Sequence, residues 1–221
     1  MAGKRGAKPK REPLSRDRVV VAAMALADEK GVAGVTMRTI AGRLGVEAMS
    51  LYNHVAGRDG ILDGMVDAVF SEIELPTPTT AWKQAMRDRA GSARAVLRRH
   101  PWAVGLLDSR SQPGPATLRH HDAVLGALRG GGFSVVMAAH AFSVIDSYLY
   151  GYVLQELSLP FSGPAEIDEI ADGILRDPAV GAYPHLTELI TEHALKPGYD
   201  YGEEFEYGLT LILDALRPDE V

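Results

Sequence analysis

Hydrophobic residues recur along this chain at intervals of three and four, the spacing of one face of an α-helix. The clearest short example has its apolar positions at Met37, Ile40, Ala41 and Leu44. Thr36 precedes these positions as a cap, and Gly45 follows as a residue that can take the left-handed conformation at a helix end. The pattern therefore predicts a short helix that begins after Thr36 and stops at Gly45.

A second short helix is predicted directly after this glycine. Glu47 falls in its first turn, where the helix dipole favours an anion, and Leu51 and Val55 share a face that can pack on the preceding helix. The other side chains are small or hydrogen-bonding: Ala48, Met49, Ser50, Tyr52, Asn53 and His54. A helix that enters the major groove needs such residues, because it must approach base edges without bulk or negative charge. The pattern favours a DNA-reading helix-turn-helix over an ordinary helical corner.

The same periodicity predicts helices along the rest of the chain and no strand. They cover residues 15–31, 57–73, 81–107 with an interruption at Pro101, 117–128, 133–157, a short stretch around Leu186, Leu189 and Ile190, and 199–216. Pro76 and Pro78 break the pattern and indicate a domain boundary. We predict an all-α protein in which a three-helix DNA-binding domain precedes a larger helical ligand-binding and dimerisation domain. The predicted divisions are a disordered basic arm at 1–13, the helix-turn-helix at 14–57, a connecting fourth helix at 58–75 and the second domain at 79–221.

Charge divides the chain into two opposite parts. Residues 1–58 hold 11 Lys and Arg against 5 Asp and Glu, a net of +6, whereas the remainder holds 12 basic and 24 acidic residues, a net of −12. A basic module on an acidic body suits a protein that presents one face to nucleic acid. The arm at 1–13 either solubilises the chain or contacts DNA, where it would follow the phosphate backbone or enter a neighbouring minor groove.

Several function classes are disfavoured. The chain has no cysteine, no apolar run near the roughly 18 residues of a membrane span and no apolar core in its N-terminal segment, so we expect a cytoplasmic protein. No catalytic motif is found, and we expect no enzyme activity and no cofactor. His120 and His121 diverge by about 100° on a helix, so we predict no metal site there. The acidic residues of 166–172 are interpreted as a solvated face.

The segment TMRTIAGRLGVEAMSLYNHVAGRDGILDGM resembles the DNA-binding domain of TetR-family repressors, most closely the tetracycline-repressor branch, through LGVE and LYxHV. The resemblance implies that Tyr52, His54 and Arg58 grip phosphates and that Arg38 reaches a base edge or a phosphate. The predicted DNA-binding set is then Thr36, Arg38, Ala48, Met49, Ser50, Tyr52, Asn53, His54 and Arg58.

The second domain resembles the C-terminal domain of the same branch in LRRHP, GGF and EFEYGLTLILDAL. The resemblance implies an effector cavity between the middle helices. However, Leu106 stands where the tetracycline repressor has its magnesium-binding histidine, and the drug-orienting glutamine falls near Val124. We therefore expect an apolar or amphipathic effector rather than a metal-chelated one. The predicted pocket residues are Trp102, Leu106, Leu107, Met137, His140, Val144, Ser147 and Tyr148, although each of them also suits plain core packing.

The resemblance also implies that two subunits pack the helices at 133–157 and 199–216 into a four-helix bundle. The predicted dimer stripe is Phe205, Leu209, Ile212 and Leu216, which would otherwise leave an apolar patch exposed. Two functions remain open. The first is a homodimeric repressor that binds a palindromic double-stranded DNA operator and is released by a small molecule. The second is a helical DNA-binding dimer without an effector.

Overall fold

A computed structural model describes residues 13–77, 80–107, 109–161 and 163–219. Within these ranges the protein is helical and contains no strand, which confirms the predicted all-α class. Its α-helices are α1 Arg16–Lys30, α2 Met37–Leu44, α3 Ala48–Leu51, α4 Gly57–Glu72, α5 Trp82–Arg99, α6 Pro115–Gly130, α7 Val135–Ser158, α8 Pro164–Leu175, α9 Pro184–Leu189 and α10 Tyr201–Ala215. Pro78 and residues 1–12 of the basic arm lie outside the described residues.

Capping residues set the ends of the first two helices, as the sequence predicts for Thr36. Ser15 accepts a hydrogen bond from the Arg18 amide at 3.3 Å, and Gly31 ends α1 at a φ of 70°. Thr36 accepts from the Thr39 amide at 3.1 Å, while the Thr39 hydroxyl bonds the Thr36 amide in return. Such a reciprocal cap satisfies two amide donors that the first turn leaves unpaired. These local interactions fix where α1 and α2 lie along the chain.

The second helix of the predicted helix-turn-helix, the recognition helix, is shorter than expected. Helix α3 ends at Leu51, and Asn53 and His54 donate their amides to carbonyls only three residues back, at 3.4 and 2.9 Å. This tightening places Tyr52, Asn53 and His54 in a turn rather than on the helix. Glu47 immediately precedes α3, and its side chain makes no capping bond. Its charge still lies next to the amino end of the helix.

The chain divides into two compact units. The first contains the residues up to Glu74 together with Ala95–Asp122, and the second contains Leu75–Arg94 together with the residues from Ala123 onward. The first unit thus holds α1 to α4 and also the segment between the end of α5 and the start of α6. In this unit the apolar faces of α1, α2 and α4 supply the core, with Val19, Ala23, Ile40, Ile61 and Met65 completely buried.

In the second unit the core forms around one stripe of α7. Its members are Ala138, Ala141, Ile145, Leu149, Tyr152 and Val153, all buried. Helix α10 packs on this side through Phe205, which stacks on Tyr148 with a ring separation of 5.8 Å. The opposite stripe of α7 is exposed, although the helix is apolar on most of its surface.

Two segments differ from the predicted pattern. Helix α5 ends at Arg99 because Pro101 has no amide to donate and restricts His100 before it, and residues 101–103 form a short 3-10 turn. Helix α9 covers only six residues and continues as a π-helical turn from Ile190. Of its three apolar positions only Ile190 is buried, while Leu186 and Leu189 are exposed.

Candidate functional site

The helix-turn-helix rests on a small apolar base. Gly45 takes the left-handed conformation at a φ of 66°, which ends α2 and turns the chain into α3. Four side chains beneath the turn are buried: Ile40, Ala41, Leu51 and Val55. The packing that the sequence predicted for Leu51 and Val55 is therefore present, and it leaves the remaining side chains of α3 free to face outward.

The outward side chains differ in what they can offer to a base edge. Met49 is 75% exposed and Tyr52 is 52% exposed, so both extend well into solvent. Arg38 and Asn53 are also exposed. The Ser50 hydroxyl donates to the Glu47 carbonyl at 2.6 Å, so toward a ligand it acts as an acceptor. Thr36, Ala48 and His54 complete the surface, with the last two half-buried.

Arg58, in the first turn of α4, makes a contact that its sequence position does not reveal. Its Nε donates to the Val35 carbonyl and its Nη2 to the Val32 carbonyl, both at 3.2 Å. The guanidinium therefore ties the start of α4 to the turn before α2. Three of its five N–H groups are not used by these two bonds, so the side chain keeps donors for a phosphate while its position is fixed.

Helix α4 carries three aspartates four residues apart, and each of them contacts either Arg110, in the segment between α5 and α6, or Thr117, in the first turn of α6. Arg110 donates from Nε to Asp63 at 2.6 Å and from Nη2 to Asp59 at 3.4 Å. Asp67 accepts from the amide and the hydroxyl of Thr117, at 2.8 and 3.0 Å. The hydrogen bond to Asp63 is the main reason that the pKa of Arg110 is raised. These contacts join α4 to residues 110–117 along most of its length.

A groove of about 250 Å³ opens beside these contacts within the first unit. Its lining residues are Asp63, Val66, Leu107, Arg110, Gln112, Pro113, Gly114, Thr117, Leu118 and His121. Gly114 passes so close to Asp67 that an added Cβ would lie 2.2 Å from the carboxylate carbon. Only glycine fits this approach, so the wall of the groove depends on it.

The carboxyl end of α4 is held by a second cluster. His100 lies between two carboxylates, with Nδ1 2.8 Å from Asp28 on α1 and Nε2 3.3 Å from Glu72 on α4. Trp102 donates from its indole to Asp28 at 2.6 Å, and Arg99 pairs with Glu72 at 2.8 Å. Because Asp28 and Glu72 belong to α1 and α4, this cluster fixes both helices to the segment that follows α5.

This arrangement matches known regulators over nearly the whole chain. Residues 19–65 match the family model of bacterial regulatory proteins of the tetR family, and residues 75–218 match the tetracyclin repressor-like C-terminal domain. The chain belongs to the TetR family. It is therefore a transcriptional regulator with a helix-turn-helix domain, as the resemblance noted in the sequence predicts.

Individual TetR-family relatives match this chain over nearly its whole length. The transcriptional repressor DrrR1 of Streptomyces coeruleorubidus is 32% identical, over 96% of this chain and 82% of that protein. A class A tetracycline repressor from Escherichia coli is 28% identical, over 92% of this chain and 90% of its own. The structure of ActR from Streptomyces coelicolor in complex with actinorhodin superposes with a TM-score of 0.76 and 27% identity, over 92% of this chain and 95% of that one.

The predicted effector residues of this TetR-family chain are distributed over different environments. Leu107 lines the groove described above, and none of the other seven does. His140, Val144 and Ser147 lie on the exposed side of α7, so that side of the helix suits subunit contact better than an enclosed pocket. Trp102 is held by Asp28, and the Tyr148 hydroxyl donates to the Phe205 carbonyl at 3.0 Å. Leu106 and Met137 are half-buried.

The residues of the predicted dimer stripe differ in how far the single chain buries them. Phe205 and Leu209 are completely buried within the chain itself, while Ile212 and Leu216 are half-buried. Other apolar side chains of the same two helices are exposed on the sides away from the buried stripes: Val136, Val144 and Leu154 on α7, and Tyr207 and Leu211 on α10. We call these five residues the exposed α7–α10 face.

The described part of the chain contains no group of three or more His, Cys, Asp or Glu side chains placed to hold a metal ion. His120 is completely buried, and its ring lies 5.0 Å from that of Phe70. Among the same residues, no helix combines the length and the apolarity needed to span a bilayer.

Sequence reasoning missed the link between α4 and Arg110. The signal for it was present, because Asp59, Asp63 and Asp67 recur every four residues and therefore lie along one side of a helix. What the sequence does not contain is the position of Arg110 in space, some 47 residues further along the chain from Asp63. The pairing depends on how the chain returns to α4 after α5.

Proposed function

We propose that this protein is a ligand-responsive transcriptional repressor that acts as a cytoplasmic homodimer on a palindromic operator. An apolar or amphipathic small molecule would release it from DNA. The observation that carries the proposal is the continuous set of contacts in the first unit, from the groove through α4 to the helix-turn-helix. The ligand-bound structure of a relative, ActR with actinorhodin, supports control by a small molecule.

Helix α4 supplies a physical route between the effector and DNA. Its middle is held by Arg110 and Thr117 beside the groove, and its start is tied through Arg58 to the turn before α2. A ligand that moves residues 110–117 would therefore change the position of α4 and of the helix-turn-helix with it. The ligand must bind the DNA-incompetent conformation better, and a hundredfold preference corresponds to about 2.7 kcal/mol of coupling.

Selection of binding fragments from random DNA tests the DNA-binding half of the proposal. A dimer should enrich a palindrome whose half-sites lie about one helical turn apart, roughly 34 to 36 Å between recognition helices, or modestly more if the DNA is deformed. The enriched fragment then serves as the operator in all later assays. Recovery of a single asymmetric half-site, or of no sequence, would contradict the proposal.

The ligand half is tested by operator release and thermal shift with a panel of hydrophobic natural products and drugs, with and without magnesium. We expect at least one compound to release the operator without magnesium and to raise the melting temperature of the free protein. Release that strictly requires magnesium would contradict the proposed ligand chemistry. If no compound releases the operator, the function is that of a DNA-binding dimer without an effector.

Arg58→Gln is expected to weaken binding to all sequences alike and to lower the salt dependence of binding by about one phosphate contact. The measurement is the affinity for the operator and for unrelated DNA over a series of salt concentrations. Because Arg58 also bonds the carbonyls of Val32 and Val35, a thermal melt must show that the variant is folded. Arg176→Gln, directly after α8, removes the same charge from an exposed site and should change neither quantity. An unchanged salt slope in Arg58→Gln would argue against the phosphate role.

Substitutions on α3 and in the turn after it should have a different effect. Asn53→Ala and Ser50→Ala are expected to change which sequence is preferred, because these side chains can hydrogen-bond to base edges. Repeating the selection from random DNA with each variant measures this preference directly. The same consensus for parent and variants would assign both residues to a role other than base reading.

A further inference from the structure

The charges around the groove are not balanced. Among the lining residues, Arg110 carries the only guanidinium. It is already paired with Asp63, which lines the groove, and with Asp59. Asp67 adds a third carboxylate directly behind Thr117 and Gly114. One positive and three negative groups therefore lie within or against this wall of the groove. Such a site attracts a cation more than an anion.

The remaining lining gives the groove an apolar side. Val66, Leu107 and Leu118 contribute aliphatic surface, and Gln112 and His121 add hydrogen-bonding groups. A volume of about 250 Å³ lies just below the range of about 300 to 1,000 Å³ that is typical of pockets for drug-sized ligands. The occupant is therefore a small molecule, or the end of a larger one, with an apolar body.

From this geometry we infer that the groove binds an organic amine whose ammonium group takes the carboxylate of Asp63 in place of Arg110. The inference rests on the proposed function, because it assigns the effector site and the chemical class of the effector. Asp63 is the favoured partner since its side chain is only 20% exposed, whereas that of Asp59 is 84% exposed. An ion pair at the less exposed carboxylate is less screened by solvent.

Binding of the amine would act directly on α4. Arg110 holds α4 through Asp63 and through the carbonyl and carboxylate of Asp59, and an ammonium group on Asp63 removes the shortest of these hydrogen bonds. The segment from Arg110 to Thr117 would then be attached to α4 mainly through Asp67. The amine thus replaces a contact within the protein by a contact with itself. It would therefore bind more tightly to a conformation in which α4 takes a different position.

The test uses three probes with a phenyl ring on a short chain: 2-phenylethylamine, 2-phenylethanol and 3-phenylpropionate. Binding to the full-length protein is followed by the shifts of backbone amide resonances in NMR titrations. We expect the amine to shift the resonances of residues 107–118 and to bind at least tenfold more tightly than the alcohol or the carboxylate. Asp63→Asn should weaken the amine at least tenfold, and Asp63→Glu should restore most of its binding. Asp168→Asn, the same change at an exposed residue of α8, should leave binding unaltered.

Arg110→Gln gives the sharpest result. If the amine competes with Arg110 for Asp63, removing the guanidinium should tighten amine binding at least tenfold, while Arg176→Gln should have no effect. If the groove is instead an anion site, Arg110→Gln should abolish binding of 3-phenylpropionate and leave the amine weak. That result, or the absence of groove shifts with the amine up to tens of millimolar, would overturn the inference. The NMR spectrum of each variant also reports whether it is folded.

The amine site and the ligand-responsive repressor can be refuted separately. Amines that fail to bind, while another compound releases the operator, would refute the amine site and leave the ligand-responsive repressor intact. If amines bind the groove but leave the operator bound, and no compound of the panel releases the operator, the amine site stands and control by a ligand is refuted. Operator release is therefore measured on the same samples as the titrations.

Discussion

A protein that carries Val144→Glu and Leu211→Glu is expected to be a monomer and to bind the operator about a hundredfold or more weakly than the parent. Both side chains belong to the exposed α7–α10 face, where they are 46% and 55% exposed in the single chain. Because neither contributes to the buried core, the charges should not unfold the subunit. They would instead be buried without partners at a subunit contact, which is strongly unfavourable.

The loss of operator binding follows from the loss of the second half-site. In a dimer the second recognition helix binds at a high effective concentration once the first is in place, and a monomer has no such gain. Sedimentation velocity measures the mass, and operator titration measures the affinity. Leu75→Glu with Leu125→Glu makes the same change at two exposed leucines outside this face, and this control should stay dimeric. A double variant that still sediments as a dimer would exclude the α7–α10 face as the interface.

The sequence alone could not determine which apolar residues lie inside one subunit and which lie between two. A stripe of Phe205, Leu209, Ile212 and Leu216 is apolar whether it packs inside one subunit or between two, because both kinds of burial select the same side chains. The structure assigns Phe205 and Leu209 to the core of the chain. Glutamate at Leu209 would therefore unfold the protein and reveal nothing about the dimer.

The helix-turn-helix could be predicted more completely because its determinants are local. Thr36 and Gly45 act on neighbouring residues, so their types and spacing suffice to predict the ends of α2. The groove beside α4 and the cluster around His100 depend on contacts between residues far apart in the sequence, such as Arg110 with Asp63 and His100 with Asp28. Periodicity indicates which side of α4 carries charge, but it does not indicate which part of the chain meets that side.

Arg89→Met is expected to lower the free energy of unfolding by about 3 to 5 kcal/mol, because it removes one partner of a buried ion pair. The side chains of Arg89 and Asp146 are 1% and 11% exposed, and the guanidinium binds both carboxylate oxygens. Burial has the largest single effect and would lower the pKa of Arg89, but the charge and hydrogen bonds of Asp146, together with Tyr150, outweigh it and the pKa is raised. The Tyr150 hydroxyl also donates to Asp146 at 3.2 Å. Without Arg89 the carboxylate would remain buried with a hydroxyl in place of a full countercharge.

The double variant Arg89→Met, Asp146→Leu separates the two origins of this loss. Replacing both charges by apolar side chains of similar size removes the unpaired carboxylate, so the double variant should recover most of the stability lost in the single one. Urea unfolding at one fixed protein concentration is the measurement, since dimerisation makes stability depend on concentration. Arg176→Met breaks an exposed pair at the carboxyl end of α8 and should leave the free energy of unfolding nearly unchanged. If the double variant were no more stable than Arg89→Met, the pair itself, and not the penalty for an unpaired charge, would be what stabilises the second unit.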